Sequence, residues 1–130
     1  MGLLIFLVVM SVAFQNQDQT VRAYGADDHI WQLIELRDSP FTAHATLHFP
    51  HIGVITGKAP CNSYRAEMHI PYPWFGVSQI ASTKRICPEL AAETAFFAAL
   101  KEASLSNVGQ DTLTLSNEAG DPLLVFRSAD

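Results

Sequence analysis

Residues 41–49, "FTAHATLHF", decide the fold, because their side chains alternate in character with a period of two. Successive side chains of a β-strand point to opposite faces of the sheet. One face carries small or apolar side chains: Ala43, Ala45, Leu47 and Phe49. The other face carries polar side chains: Thr42, His44, Thr46 and His48. This pattern predicts a β-strand with one buried face and one solvated face.

Short segments of strand-like composition surround this stretch, and turn-forming residues separate them. They cover residues 29–36, 51–56, 64–70, 74–82, 111–117 and 122–128. We expect Pro50 to end the strand at 41–49, Gly57 to close the next one, and the last two segments to form a hairpin around "NEAGD". The sequence thus predicts about seven short antiparallel strands.

One segment is helical in composition. Residues 88–103, "PELAAETAFFAALKEA", are dense in alanine, leucine and glutamate, which are strong helix formers. Pro88 suits the first helical position, and Glu89 lies near the positive end of the helix dipole. The expected apolar side consists of Leu90, Phe97 and Leu100, with Glu93 and Phe96 adjoining it. The predicted fold class is therefore α+β: a small antiparallel β-rich domain, partly barrel-like, with one helix packed against the sheet.

The N-terminus resembles a secretory leader. Residues 3–14 form an apolar run that is shorter than the roughly 20 residues a membrane-spanning helix needs. Val21, Arg22 and Ala23 form a small-x-small cleavage site, which predicts a signal peptide over 1–23 and a domain over 24–130. Because no basic residue precedes the run, an uncleaved membrane tether stays open as the alternative. No cysteine directly follows the run, so we expect a periplasmic or secreted protein rather than a lipoprotein, with no stable membrane span after cleavage.

The charge balance argues against broad classes of partner. The chain has a formal net charge of −5, and a mildly acidic domain has no general electrostatic reason to bind nucleic acid or an anionic membrane. The seven glycines are scattered as turn residues and form no phosphate-binding loop. We expect one small domain, a monomer, without a cofactor.

Cys61 and Cys87 are the only two cysteines of the chain. Cys61 precedes Asn62, and with a histidine this could form a nucleophilic Cys-His-Asn arrangement, although local signatures of cysteine enzymes are absent. In a small exported domain two cysteines most often form a disulfide. Such a bridge would stabilise the fold by roughly 3–4 kcal/mol in the chain-entropy model. We favour the disulfide and keep a thiol enzyme as an alternative.

The histidines and carboxylates give no clear site. On a strand His44 and His48 would lie about 13 Å apart, too far to share a zinc ion whose ligands lie at about 2 Å. Glu89 and Glu93 sit near a helix start, where acidic residues have structural roles. We therefore predict no metal site and no catalytic carboxylate pair.

Basic residues concentrate around the two cysteines. They are Lys58, Arg65, Lys84 and Arg85, and Glu67 is the only acidic residue between positions 58 and 87. A bridge between the cysteines would draw these side chains together on an otherwise acidic protein. We interpret them as a contact point for an anionic partner, an unidentified envelope protein or ligand; an energetically indifferent solvated surface is the alternative.

An ordered set of motifs resembles the META domain family, also called heat-shock protein HslJ-like. The set is "WQL" from Trp31, "LHF" ending at Phe49, Gly57 followed by "CNSY" from Cys61, "TKRIC" from Thr83, Glu93 and Leu100 in the helix, and "LTL" from Leu113. The resemblance covers essentially the whole predicted domain. Departures from the family pattern are Pro60 and Ala66 where glycines are usual, Arg85 where methionine is common, and the missing lipid-acceptor cysteine.

The resemblance implies a bacterial cell-envelope domain of a family linked to heat shock, novobiocin resistance, motility or secretion, with no catalytic activity and no established ligand. Its motif residues are expected to have structural roles: Cys61 and Cys87 as a covalent tie, Asn62 in an Asx-type turn, Tyr64 as a packed aromatic, and Thr83 as a hydroxyl near the helix start. Trp31 belongs to the same motif set.

These observations lead to one working hypothesis: a non-enzymatic, exported cell-envelope protein that acts as a binding or stress-maintenance module. A small secreted inhibitor of a hydrolase is the first alternative. A thiol-dependent enzyme using Cys61 is the second.

Overall fold

The computed structural model describes residues 17–130. Residues 1–16 of the predicted leader lie outside this part of the chain. Within the described residues no helix is long and apolar enough to cross a membrane. The elements are two 3₁₀ turns at Val21–Tyr24 and Ala26–Asp28, strands β1 (Trp31–Leu36), β2 (Ser39–Pro40), β3 (Thr46–His51), β4 (Val54–Lys58), β5 (Ser63–Glu67) and β6 (Ala81–Ser82), helix α1 (Leu90–Glu102), and strands β7 (Leu105–Val108), β8 (Thr112–Ser116) and β9 (Pro122–Ser128).

All strand pairs are antiparallel and belong to one sheet. The strand order is β6-β5-β4-β3-β1-β9-β8-β7, and β2 pairs with β1 beside this path. Helix α1 packs on the sheet, and over the described residues the sheet does not close into a barrel. The α+β prediction, a β-rich antiparallel domain with one helix, is therefore confirmed.

The second half of the alternating segment behaves as its pattern predicts, whereas residues 41–45 lie outside β3, so the strand predicted over 41–49 begins five residues later than expected. Ala45, Leu47 and Phe49 are buried, whereas Thr46 and His48 between them are only half-buried. Trp31 of the neighbouring strand is also buried, and its indole N–H donates to the carbonyl of Ala26 at 2.8 Å. A buried tryptophan needs such a partner for its polar atom. The shared core of β1 and β3 thus follows directly from the sequence pattern.

The structure has nine strands, rather than about seven, and their limits differ from the predictions. The two extra elements are the two-residue strand β2 and the strand β7, whereas β6 is the paired end of the strand predicted over 74–82. The strand predicted over 74–82 is wrong for most of its length: only the bridge from Trp74 to Leu105 and β6 are paired. Between them, Phe75 is the one fully buried side chain, and residues 75–80 form a connection without regular secondary structure.

Pro50 and Gly57 do not end strands as predicted. β3 continues through Pro50 to His51, and the register with β4 is irregular between His48 and His51. At such an irregularity the missing N–H of proline removes no ladder hydrogen bond. Gly57 lies inside β4 rather than after it. A Cβ at this position would collide with the carbonyl oxygen of Thr46, so the strand requires glycine there.

Helix α1 begins two residues later than predicted, and its buried side agrees with the predicted one only in part. Pro88 and Glu89 form a turn, and the helix starts at Leu90. Its buried residues are Glu93, Phe96, Ala99 and Leu100. Of the predicted apolar side, Leu100 is buried and Phe97 packs half-buried against the core, whereas Leu90 is exposed, so the prediction is wrong at Leu90. The side chain of Glu93 points inward and accepts the backbone N–H groups of Cys61 and Asn62.

Candidate functional site

A disulfide joins Cys61 and Cys87, as the sequence predicts, with the two Cα atoms 5.6 Å apart and 26 positions between them in the chain. It connects the turn between β4 and β5 to residues 83–87, which precede α1 and which we call the basic loop. In this state Cys61 carries no thiol, since its sulfur is bonded to that of Cys87.

Glu93 supports the turn on which Cys61 lies. Its side chain is almost completely buried, with the residue 4% exposed. One carboxylate oxygen accepts the backbone N–H groups of Cys61 and Asn62, each at 2.9 Å, and the other accepts the side-chain amide of Asn62 at 2.7 Å. A buried carboxylate is tolerated when donors satisfy it, and its place in the first helical turn favours negative charge.

Asn62 connects this turn to the basic loop by side-chain hydrogen bonds. It is 6% exposed, and its side-chain oxygen accepts the Thr83 hydroxyl at 2.8 Å and the Arg85 backbone N–H at 2.6 Å. Its amide nitrogen also donates to the Arg85 carbonyl at 3.1 Å. The expected Asx-type turn at Asn62 is therefore wrong: this side chain reaches a segment more than twenty positions away, because the disulfide places the two segments side by side.

Thr83 anchors the start of the basic loop on β5. Its backbone N–H donates to the carbonyl of Ser63 at 3.1 Å, and its hydroxyl accepts the Ser63 N–H at 3.2 Å. Thr83 lies seven positions before Leu90, where α1 begins, and no side chain among residues 17–130 caps that helix start by a hydrogen bond. The expected role near the helix start is therefore wrong, and Thr83 extends the strand pairing instead.

Tyr64 packs beneath this assembly. It is buried, its hydroxyl donates to the Thr46 carbonyl at 2.7 Å, and its ring contacts those of Phe96 and Phe97 edge-on at centroid distances of 5.6 and 5.5 Å. Burial raises the pKa of the Tyr64 hydroxyl far above its usual range. The hydroxyl is therefore neutral and structural at physiological pH.

The four predicted partner-binding residues are all exposed. Lys58 faces Ser63 across β4 and β5, and its ammonium group donates to the Ser63 hydroxyl at 3.0 Å. Arg65 lies on β5 between Thr56 and Ala81. Among residues 17–130, none of these four basic side chains forms an ion pair.

A groove of about 250 Å³ brings part of this set together. Lys58 and Arg85 line it, with Cys61, Asn62 and Thr83. Arg65 lines a separate shallow depression beside Tyr64 and Thr83. The structure thus places Lys58 and Arg85 around one groove and Arg65 on the adjacent strand.

The tip of the basic loop is the most exposed part of the site. Ile86 is 86% exposed, an unusual value for a large apolar side chain. Lys84 is exposed too, and within the described part of the chain neither its backbone nor its side chain makes a hydrogen bond. Sequence reasoning missed both Glu93 and Ile86 as members of the site. The available signals were a glutamate within an apolar helix stripe and an isoleucine inside a basic run.

The histidines take no part in this site. No group of three or more histidine, cysteine, aspartate or glutamate side chains among residues 17–130 is arranged to hold a metal ion.

Fold and site together define a small, disulfide-tied, antiparallel β domain with one helix. The META domain model matches residues 25–130, so the chain belongs to the META domain family. No curated protein matches.

Solved structures share the fold at low sequence identity. One NMR structure of a protein has 21% identity and a TM-score of 0.64, covering 83% of this chain and 94% of that one. An NMR structure of a protein from Burkholderia xenovorans has 20% identity and a TM-score of 0.64, with coverage of 85% and 88%. The crystal structure of a DUF4847 family protein from Bacteroides vulgatus has 12% identity and a TM-score of 0.67, with coverage of 82% and 96%.

Proposed function

We propose that this chain is a non-enzymatic, exported binding module of the cell envelope, and that it contacts an anionic partner protein through Lys58, Arg65, Lys84 and Arg85. One observation carries the proposal. The four basic side chains are exposed and form no ion pair within the described chain. The backbone that carries them is held in place by the disulfide and by the buried hydrogen bond between Asn62 and Glu93.

A fixed backbone matters for binding because ordering a flexible loop costs free energy at the moment of association. Here the flanks of Lys84 are already ordered by Asn62 and by the disulfide. The local positive charge on a protein of net charge −5 favours one orientation towards an acidic surface. Both features support recognition of a partner.

The disulfide also bears on the two alternatives. A thiol enzyme requires the Cys61 thiolate as nucleophile, and in the bonded state that group is absent. Rapid alkylation of Cys61 by iodoacetamide without added reductant would favour the enzyme. The exposed Lys84 and Ile86 at the tip of the basic loop favour the inhibitor.

The test compares the capture of envelope proteins by three purified chains in crosslinked envelope extracts. The first is the natural sequence, the second carries Lys84→Glu with Arg85→Glu, and the third carries Lys101→Glu with Arg127→Glu. The last pair is exposed, lies on α1 and β9 and makes the same change in net charge.

We expect the natural chain and the Lys101/Arg127 variant to capture the same crosslinked species. The Lys84/Arg85 variant should lose it, and raised salt should weaken capture by the natural chain, because exposed charges are screened. Equal capture by all three chains would refute the role of the basic residues.

A further inference from the structure

The basic loop combines a lysine with unpaired backbone groups and flanks that are fixed on both sides. We propose that residues 83–86 form a substrate-like loop that inhibits a trypsin-like serine protease, with Lys84 entering the primary specificity pocket. This inference rests on the proposed binding function and identifies the chemistry of the partner.

The backbone groups of Lys84 are free to form hydrogen bonds with a protease. An extended peptide binds such a cleft by pairing its main-chain groups with a strand edge of the enzyme. The N–H and C=O groups of Lys84 make no hydrogen bond among residues 17–130, whereas Thr83 is held by Ser63 and Asn62, and Arg85 by Asn62. Among residues 17–130 the Ile86 backbone makes no hydrogen bond either, so the loop is held at Thr83, at Arg85 and by the Cys87 disulfide, and its main chain is open at Lys84 and Ile86.

The side chain has the required charge. The specificity pocket of a trypsin-like protease ends in an aspartate and selects lysine or arginine. Lys84 is exposed and forms no ion pair within the described chain, so nothing there competes with that aspartate. Ile86, 86% exposed two positions later, can bury its side chain against the enzyme on the other side of the target bond.

The contacts of Arg85 explain why the loop would inhibit rather than be consumed. The protease serine attacks the Lys84 carbonyl carbon, and its proton passes through the catalytic histidine to the Arg85 nitrogen as the Lys84–Arg85 bond breaks. In an ordinary substrate that amine leaves. Here Asn62 holds the same nitrogen at 2.6 Å and the Arg85 carbonyl at 3.1 Å, and the Cys87 disulfide retains the segment.

The retained amine can attack the acyl-enzyme and restore the peptide bond, and its proton returns through the histidine to the serine. Well-oriented intramolecular groups reach effective concentrations of about 10⁵ M or more. Re-formation of the bond therefore outruns hydrolysis, and the cycle consumes no co-reactant. In this scheme Lys84 is the specificity residue and Asn62 is a positioning residue.

The experiment mixes the purified, oxidised domain with trypsin and, separately, with chymotrypsin, and follows hydrolysis of a small chromogenic substrate. We expect inhibition of trypsin that Lys84→Ala weakens by about 100-fold or more, the size typical of truncating a central anchor residue. Lys84→Arg should retain it, and Lys84→Phe should transfer inhibition to chymotrypsin. Lys101→Ala, an exposed lysine on α1, is the control and should inhibit as the natural chain does.

A second variant tests the positioning role. Asn62→Ala, once shown to be folded by circular dichroism, should still bind trypsin but be cleaved between Lys84 and Arg85, which mass spectrometry detects. If that variant does not fold, the Lys84 series alone decides the inference.

Absence of inhibition by the natural chain, rapid cleavage of its Lys84–Arg85 bond, or unchanged inhibition by Lys84→Ala would overturn the protease assignment. If the protease assignment fails but the Lys84/Arg85 charge-reversal variant still loses capture of its partner, the broader binding function is supported. The two proposals therefore fail separately.

Discussion

At the scale of single residues, Glu93 determines the geometry of the site although it lies outside the basic loop. It satisfies three donors on Cys61 and Asn62, and Asn62 in turn holds Thr83 and Arg85. An apolar side chain at this position would add to the hydrophobic core, whereas the glutamate fixes the backbone at Cys61 and Asn62 by hydrogen bonds. This chain of contacts links the core of the domain to its most exposed residues.

We expect Glu93→Ala to lower the free energy of unfolding by about 3–5 kcal/mol, because three buried donors lose their acceptor. Glu93→Gln should cost less, since its amide oxygen can replace one carboxylate oxygen. Urea denaturation measures both. Glu118→Ala, at an exposed turn position, is the control, and a Glu93→Ala value within about 0.5 kcal/mol of it, the usual size of a surface effect, would contradict this account.

The site shows where residue-level prediction succeeds and where it stops. The pairing of Cys61 with Cys87 follows from their number and the expected compartment. The partners of Asn62 do not follow, because Thr83 and Arg85 are brought to it by the folded sheet and the bridge rather than by local turn chemistry. The helical pattern predicts Glu93 beside the apolar stripe, but its inward orientation depends on donors more than thirty positions away.

At the scale of elements, local patterning predicted the strands whose two faces differ most. β3 and the hairpin of β8 and β9 carry clear alternation or strong turn signals, and the structure confirms them. The prediction of a strand over 74–82 is wrong because the apolar side chains of this segment, beginning with Phe75, pack on the core individually and not as one face of a paired strand. β7 was missed because its pairing with β8 is decided by the return of the chain from α1.

The contact between β3 and β4 gives a prediction at this scale. Gly57→Ala should destabilise the domain by about 1–3 kcal/mol, the usual cost of overpacking. Its new Cβ would meet the Thr46 carbonyl and the Tyr64 ring, both of them fixed by packing. Gly109→Ala is the matched control, since its Cβ would lie at an ordinary 3.7 Å from the Thr112 carbonyl oxygen. Thermal unfolding of both variants measures the difference, and equal stabilities would contradict the close approach.

At the scale of the whole molecule, the N-terminal segment just before the matched family region is part of the folded domain. Val21 is fully buried in the core. Arg22 donates to the Phe49 carbonyl at 3.1 Å and pairs with Asp18 at 3.4 Å, and the Tyr72 N–H donates to the Gln19 carbonyl at 2.8 Å. These contacts connect the segment to β3 and to the chain before β6.

This packing bears on the predicted leader over 1–23, because cleavage after Ala23 would remove Val21 from the core and the hydrogen bond from Arg22 to the Phe49 carbonyl. We expect a chain of residues 24–130 to be less stable than one of residues 17–130 by about 2–4 kcal/mol. Loss of a buried valine contributes about 1.5–3 kcal/mol of this, and each lost hydrogen bond about 1 kcal/mol, partly offset by the conformational entropy of the removed residues. Urea denaturation compares the two chains, with Gln19→Ala in the longer chain as a control for an exposed side chain of the same segment.

The same reasoning predicts where the mature protein begins when the full sequence is expressed in an exporting bacterial host. N-terminal sequencing should find a start before Asp18, so that the segment carrying Val21 stays with the domain. A mature chain that begins at Tyr24 and is as stable as the longer one would show that Val21 and Arg22 are dispensable. The core would then be closed by the strands and α1 alone.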